Sequence, residues 1–146
     1  METIYKNGNT KIYLKFKTND AVDKDLFPYT SFVLGVELSY KTWIDEPAYF
    51  KAEEGFEMYG DEYQEFLNEL KNQIDNYKEM ELEIYDYYLN NNAKLDIDCQ
   101  KDNIMIKGQL GTSLVEGYPM MNFTIRNLNL SLFKNLYDCL IKHTKF

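Results

Sequence analysis

Residues 48–88 read AYFKAEEGFEMYGDEYQEFLNELKNQIDNYKEMELEIYDYY, and the hydrophobic period changes twice within this stretch. In residues 48–58 apolar and polar side chains alternate, which is the period of a β-strand with one buried face. In residues 61–77 apolar side chains recur every three or four positions, as in an amphipathic helix. Alternation returns in residues 79–88. The stretch therefore predicts a strand, a helix and a second strand, each with one apolar face.

The predicted helix carries its own start and end signals. Asp61 and Gln64 have the spacing of a capping box, in which each side chain satisfies a backbone amide at the helix start. Acidic residues near the start and lysines near the end complement the helix dipole. The apolar stripe consists of Tyr63, Phe66, Leu67, Leu70, Ile74 and Tyr77.

The same periodicities extend over the rest of the chain. Asn7-Gly8 between two alternating segments is a strong hairpin signal, and Gly35 inside the next strand predicts a bulge or a close approach by another group. Glu54 and Asp86 interrupt the apolar parity, which predicts a strand end or a bulge at each. The predicted order is four strands, a helix, four strands and a final helix that is capped by Asn129 or Ser131.

This order predicts a single α+β domain over residues 1–146. Short connections favour antiparallel neighbours, so we expect an antiparallel sheet of six or seven strands with both helices packed on one face. The residues expected to be nearly fully buried are Phe66, Leu70, Leu82, Ile97, Ile106, Phe123 and Leu136.

Negative charge is concentrated around the same central stretch. Fourteen acidic residues and three lysines lie between Asp45 and Asp86, and the net charge of the whole chain is −8. Nucleic acids and anionic membranes are bound through cationic patches, so this distribution disfavours both as partners. It would attract a basic protein, although acidity is also a common means of keeping a domain soluble.

Other features of the sequence indicate a cytosolic protein without catalytic activity. No apolar run is long enough for a membrane span, and the first residues lack a secretory signal. Cys99 and Cys139 occupy positions on the apolar faces of their predicted elements, which favours buried free thiols over a redox or metal role. The single histidine, His143, is placed to complement the dipole at the end of the last helix. We expect no enzyme activity, cofactor or metal, because no familiar catalytic constellation is present.

The polar side chains that alternate with the apolar ones in the central strands form the candidate binding surface. If one side of the sheet is covered by helices, the other side faces solvent, where carboxylates would steer a basic partner and tyrosines would supply rigid contact area. Trp43 is either an anchor for that partner or a plug over the edge of the core. A solvated surface without a partner is the alternative. The candidate partner-binding residues are Trp43, Glu53, Glu57, Glu79, Glu81, Glu83, Tyr85, Tyr87, Asp96 and Asp98.

The last hundred residues have the order helix, strands, helix. Five segments carry a further resemblance: Phe56-Glu57-Met58-Tyr59, residues 62–70, Ile104-Met105-Ile106-Lys107-Gly108, Met121-Asn122-Phe123-Thr124-Ile125 and the helix from Leu132 to Ile141. In these segments the chain resembles a family of small bacterial proteins, the immunity proteins of the WapI type, which are encoded beside contact-dependent toxins. The turn before the last helix, residues 127–131, departs from the acid-glutamine-hydroxyl pattern of that family.

The resemblance implies stoichiometric inhibition of a cognate toxin in the cytosol. Independently of it, we expect the chain to be a monomer or a weak homodimer. A nuclease is the toxin class whose basic cleft an acidic surface could block. The alternative is a regulatory or small-molecule-binding domain whose acidity provides only solubility.

Overall fold

The computed structural model describes residues 1–17, 22–85, 93–111 and 120–146, which contain eight strands and two α-helices. The strands are β1 (Glu2–Asn7), β2 (Thr10–Phe16), β3 (Tyr29–Lys41), β4 (Pro47–Tyr59), β5 (Met80–Tyr85), β6 (Lys94–Cys99), β7 (Ile104–Gly111) and β8 (Met120–Leu128). The helices are α1 (Gly60–Asp75) and α2 (Ser131–His143), and a short 3-10 helix spans Lys24–Leu26. The predicted α+β class and the order of elements are confirmed.

The strands form two antiparallel sheets of four, and the prediction of one sheet of six or seven strands is wrong. The N-terminal sheet has the order β1-β2-β3-β4, and the C-terminal sheet has the order β5-β6-β7-β8. Every strand pairs with its neighbour in sequence, except that the 16-residue helix α1 separates β4 from β5. Alternation along a strand shows which face is buried, but it does not show which strand lies beside it.

One hydrophobic core joins both sheets and both helices. Helix α1 packs against α2, β4 and β5, and α2 packs against β1. Six of the seven residues predicted to be nearly fully buried belong to this core. Phe123 is the exception, because it is only half-buried and lies across Gly108 of the neighbouring strand β7.

The ends of α1 differ from the predicted ones. The residue before the helix is Tyr59, and no side chain caps the start, so the capping box of Asp61 and Gln64 is wrong. The helix ends at Asp75, and the predicted stripe residue Ile74 is 38% exposed. The buried Gln73 takes a place in the core instead. Its side-chain amide donates to Lys78 O and accepts from Lys78 N, both at 2.9 Å, which ties the chain after the helix to the helix itself.

The strand irregularities predicted from sequence have mixed outcomes. Gly35 is a site of close approach, because the ring of Tyr13 on β2 lies directly across it. Glu54 marks neither a bulge nor a strand end, since the register of β3 and β4 continues through it. The first hairpin turns at Gly8 and Asn9, and Asn7 pairs with Thr10. Asp86 lies outside the described residues.

The N-terminus is held against α2 by a polar cluster around Glu2. Lys142 Nζ lies 2.7 Å from Glu2 Oε1, and His143 Nε2 lies 2.9 Å from Glu2 Oε2. Cys139 Sγ donates to the same carboxylate. The imidazole of His143 also stacks on Phe16, with ring centroids 4.0 Å apart. His143 thus lies in the last turn of α2 as predicted, and there it joins the helix to the first two strands.

Both cysteines are free and buried, as predicted. Burial raises the pKa of the Cys99 thiol to about 11. Burial also raises the pKa of the Cys139 thiol, and the hydrogen bond to Glu2 raises it further. Because the thiolate is the reactive form of cysteine, these thiols are suited to packing rather than to nucleophilic chemistry.

Candidate functional site

Five of the predicted binding residues lie together on the outer face of the C-terminal sheet. The registers pair Glu81 with Asp98 and Glu83 with Asp96, and Tyr85 pairs with Lys94. Directly paired residues of antiparallel strands share a face, so these side chains point away from the core. Glu79 is exposed immediately before β5. The predicted clustering of β5 and β6 carboxylates is therefore confirmed.

The structure separates Glu53 and Glu57 from that cluster. Both belong to β4, in the other sheet. Glu57 accepts a hydrogen bond of 3.0 Å from the hydroxyl of Tyr29, and Glu53 lies within a network of lysines and a tyrosine. The single open surface predicted from the sequence is thus wrong, because it assumed that β4 and β5 belong to one sheet.

Trp43 lies apart from both groups. It is 95% exposed in the turn between β3 and β4, so the interpretation of this residue as a plug over the core is wrong. Helix α1 begins at the other end of the 13-residue strand β4. At a rise of about 3.3 Å per residue, the two ends of β4 are roughly 40 Å apart. Tyr87 lies outside the described residues.

A groove between α1 and β5 brings together acidic residues that sequence reasoning did not combine. Its volume is about 400 Å³. The residues lining it are Glu62, Glu65, Phe66, Glu69, Glu81, Glu83 and Tyr85. The glutamates of α1 recur at spacings of three and four residues, which places them along one side of the helix. The spacing was visible in the sequence, but the neighbouring strand was not, because it depends on how α1 crosses β5.

The acidic groove has more carboxylates than cations. Lys94 is 3.3 Å from Glu83 Oε1 and 3.4 Å from Asp96 Oδ1, so it is shared between two carboxylates. Among the residues that the structure describes, Glu65, Glu69 and Glu81 form no ion pair. A surface with several unneutralised carboxylates beside apolar contact area favours cationic groups.

Tyr85 has a structural role in the acidic groove. Its hydroxyl donates to Glu62 Oε2 and so links β5 to the first turn of α1. The prediction that Tyr85 supplies rigid contact area with a polar tip stays a prediction, and its hydroxyl is engaged within the protein. The residue is 36% exposed and lines the groove.

A second polar network covers the outer face of the N-terminal sheet. Tyr13 OH donates to Glu53 Oε1, and Lys15 Nζ and Lys51 Nζ lie 2.8 and 3.3 Å from that oxygen. The hydrogen bonds from Lys15 and Tyr13 lower the pKa of Glu53 to about 2. Burial raises the pKa of Tyr13 above its usual range, and the hydrogen bond to Glu53 adds to this effect. These groups satisfy one another, which indicates a structural role.

We expect Glu53→Gln to make stability less dependent on pH in the acid range. The folded pKa of about 2 lies below the ordinary value of 4.5. The ionised carboxylate therefore stabilises the fold above pH 4.5, and this contribution is lost as the pH falls towards 2. This contribution to the free energy of unfolding should be at most about 1 kcal/mol, because the ion pair of Glu53 with Lys15 is accessible to solvent.

Urea midpoints of the wild type and the Glu53→Gln variant, compared at several acidic pH values, measure this effect. Glu2, whose pKa is also lowered to about 2, is present in both proteins and cancels in the comparison. An identical decline of the two midpoints with falling pH would contradict the assignment.

A polar pocket of about 410 Å³ lies elsewhere on the outer face of the C-terminal sheet. Among the described residues none donates a hydrogen bond to the buried Asp96 Oδ1, and the Lys94 ammonium at 3.4 Å makes an ion pair with it. The pocket is lined by Lys94, Asp96, Lys107, Gly108, Gln109, Asn122, Phe123 and Thr124.

Among the residues that the structure describes, no group of three or more metal-ligating side chains is close enough to hold an ion. None of the described helices combines the length and the apolar character that a bilayer crossing requires. No protein-family model matches the chain, and no curated protein or solved structure shows significant similarity to it.

Proposed function

We propose that this protein is an immunity protein that binds a cognate toxin in the cytosol and neutralises it by stoichiometric inhibition. The observation that carries the proposal is the acidic groove between α1 and β5, in which Glu65, Glu69 and Glu81 form no ion pair among the described residues. The resemblance to WapI-type immunity proteins supplies the biological setting. In this proposal the protein performs no reaction of its own.

The chemistry of the groove favours a basic protein surface as the ligand. Carboxylates on two different elements line it, so a convex basic segment would meet charge on both sides. The ring of Tyr85 supplies apolar area beside those charges, and the buried Phe66 forms the floor of the groove. Electrostatic complementarity of this kind accelerates association and selects the partner. A nuclease toxin would fit, because its cleft must be basic to hold nucleic acid.

The test is the affinity of this protein for the product of the neighbouring gene, measured at low and high salt. We expect Glu65→Lys combined with Glu81→Lys to weaken binding about 100-fold at low salt, because like charges would face each other across the interface. Added salt should weaken the wild-type complex mainly through the association rate. One equivalent of the wild-type protein should abolish the activity of the toxin.

A matched control carries the same change in charge at a distance from the groove. Asp25 and Asp102 are exposed on other parts of the surface, so Asp25→Lys combined with Asp102→Lys tests the effect of net charge alone. We expect this control to stay within about threefold of the wild-type affinity. Equal effects of the two double variants would remove the groove from the proposal, and a fully active toxin at equimolar protein would overturn the immunity function itself.

The polar pocket on the C-terminal sheet favours a second candidate, a regulatory domain that binds a small molecule. A hydrogen-bonding ligand could satisfy Asp96 Oδ1, which accepts no hydrogen bond from the part of the chain that the structure describes. Calorimetry with a panel of small polar metabolites would distinguish the two functions, because this candidate requires binding that Asp96→Ala abolishes and that the acidic-groove variants leave unchanged.

A further inference from the structure

The hairpin of β3 and β4 extends beyond the rest of the N-terminal sheet. Strand β2 pairs with β3 only as far as Leu38, and Ser39 N donates to Asn9 O at 3.0 Å. Strand β4 is an edge strand of its sheet, so residues 40–49 of this hairpin continue beyond β2 as a two-stranded projection, which we call the arm. The arm is thus placed to contact another molecule.

The tip of the arm presents apolar side chains on a fixed backbone. Thr42 N donates to Glu46 O and Asp45 N donates to Thr42 O, each at 2.8 Å. The side chains of Trp43 and Ile44 take no part in these bonds, and they are 95% and 54% exposed. A large aromatic side chain that costs little further ordering is well suited to anchor an interface.

An apolar groove lies at the base of the same arm. Its volume is about 500 Å³, and it runs between the N-terminal sheet and β8. Phe50 and Phe123 face each other there, with ring centroids 6.5 Å apart. The groove explains why Phe123 is only half-buried. The groove is lined by Thr10, Val36, Leu38, Tyr40, Phe50, Asn122, Phe123, Thr124, Ile125 and Arg126.

The charges of the tip and of the groove are complementary. Asp45 and Glu46 are exposed beside Trp43 at the tip. Lys41 Nζ lies 3.6 Å from Asp45 Oδ1, so Glu46 is the acidic residue at the tip that forms no ion pair among the described residues. Arg126 lines the groove, and its guanidinium contacts Met105 Sδ at 3.4 Å. Among the described residues Arg126 forms no ion pair, although the chain has a net charge of −8. An apolar tip with acidic neighbours therefore matches an apolar groove with a basic margin.

We propose that two copies of this chain form a dimer by exchanging arms, so that Trp43 and Ile44 of each copy occupy the groove at the base of the other arm. Because the groove lies at the base of the arm and the tip at its far end, two arms lying side by side in opposite directions satisfy both contacts at once. A two-fold axis then closes the assembly. The arm-exchange dimer uses a surface remote from the acidic groove and does not depend on the proposed function.

The single tryptophan of the chain reports directly on the arm-exchange dimer. With rising protein concentration, sedimentation equilibrium should show a monomer–dimer transition with a dissociation constant between about 1 μM and 1 mM. Over the same range the tryptophan emission should shift to the blue, because the indole leaves water. A monomer throughout that range overturns the proposal, and so does a dimer whose emission stays red-shifted.

Substitutions at the tip and the groove test the contact itself. Trp43→Ala should weaken dimerisation at least tenfold, the loss typical of an anchor residue. The Trp43→Ala variant should fold like the wild type, because the side chain of Trp43 is exposed. Circular dichroism compares the folds of the two proteins. Tyr77→Phe is the matched control, since it changes an aromatic residue that donates to Gln100 O and lies away from the arm. A dimer of Trp43→Ala as tight as the wild type overturns the proposal.

A charge exchange separates this dimer from any other. Glu46→Arg and Arg126→Glu should each weaken the dimer, and the two combined in one chain should restore it, because each contact then regains opposite charges. Additive weakening in the double variant contradicts the pairing of tip and groove. A blue shift that appears only with zwitterionic vesicles, without a dimer, would assign the arm to membranes and overturn the proposal.

Discussion

Leu70→Ala and Leu136→Ala are each expected to lower the free energy of unfolding by about 2–5 kcal/mol. Both side chains are fully buried, one on α1 and one on α2, and both belong to the core that joins the two sheets. Truncating either residue removes apolar contacts from this core and leaves a cavity, because a packed interior collapses only partly around the missing atoms. Urea denaturation followed by circular dichroism measures the change.

Ile74→Ala is the control for the leucine substitutions. Ile74 lies four residues after Leu70 on α1 and follows the same sequence pattern, but it is 38% exposed near the helix end. We expect a loss below about 1 kcal/mol there, since little area returns to water. Equal losses at the two positions would mean that the register of the apolar stripe on α1 is wrong.

The elements of this fold were predictable because each depends on local periodicity. The helix stripe of Tyr63, Phe66, Leu67 and Leu70 and the alternation of β5 both follow from which side chains must leave water. The division into two sheets was not predictable in the same way. It depends on whether β4 pairs with β5 across α1, and the alternation in both strands is compatible with either arrangement.

The same distinction applies to the candidate site. Alternation in β5 and β6 placed Glu81, Glu83, Asp96 and Asp98 on one surface, as the registers confirm. Glu62, Glu65 and Glu69 were missed because their contribution depends on the path of α1 beside β5. Gln73 was missed for another reason. A glutamine on the margin of an apolar stripe shows no period of its own, and its burial depends on the two backbone bonds to Lys78.

Gly35→Ala is expected to destabilise the protein by about 1–3 kcal/mol or more, the range for forcing extra volume into a packed site. A Cβ built on Gly35 would lie 2.1 Å from the nearest ring atom of Tyr13, well inside van der Waals contact. That ring is fully buried, and its hydroxyl is fixed to Glu53. Relief therefore requires the ring to move and the hydrogen bond to Glu53 to break.

Two other glycines turn this expectation into a graded series. At Gly108 the added Cβ would meet Phe123, which is half-buried at the margin of the apolar groove and can move, so we expect a smaller loss. At Gly55 on β4 nothing lies within 4 Å of the added Cβ, and alanine should be neutral or slightly stabilising. Denaturant midpoints that place Gly55→Ala below Gly35→Ala would contradict the series.

A double-mutant cycle with Tyr13 identifies the cause of the effect at Gly35. Tyr13→Ser should be destabilising by itself, because it removes a buried ring and the donor to Glu53. In that background, however, Gly35→Ala should cost far less than in the wild type, since the space across β2 and β3 is then open. The two substitutions should therefore be strongly non-additive. Additive losses would show that alanine at position 35 acts through the backbone, and the interpretation of Gly35 as a site of close approach would then fail.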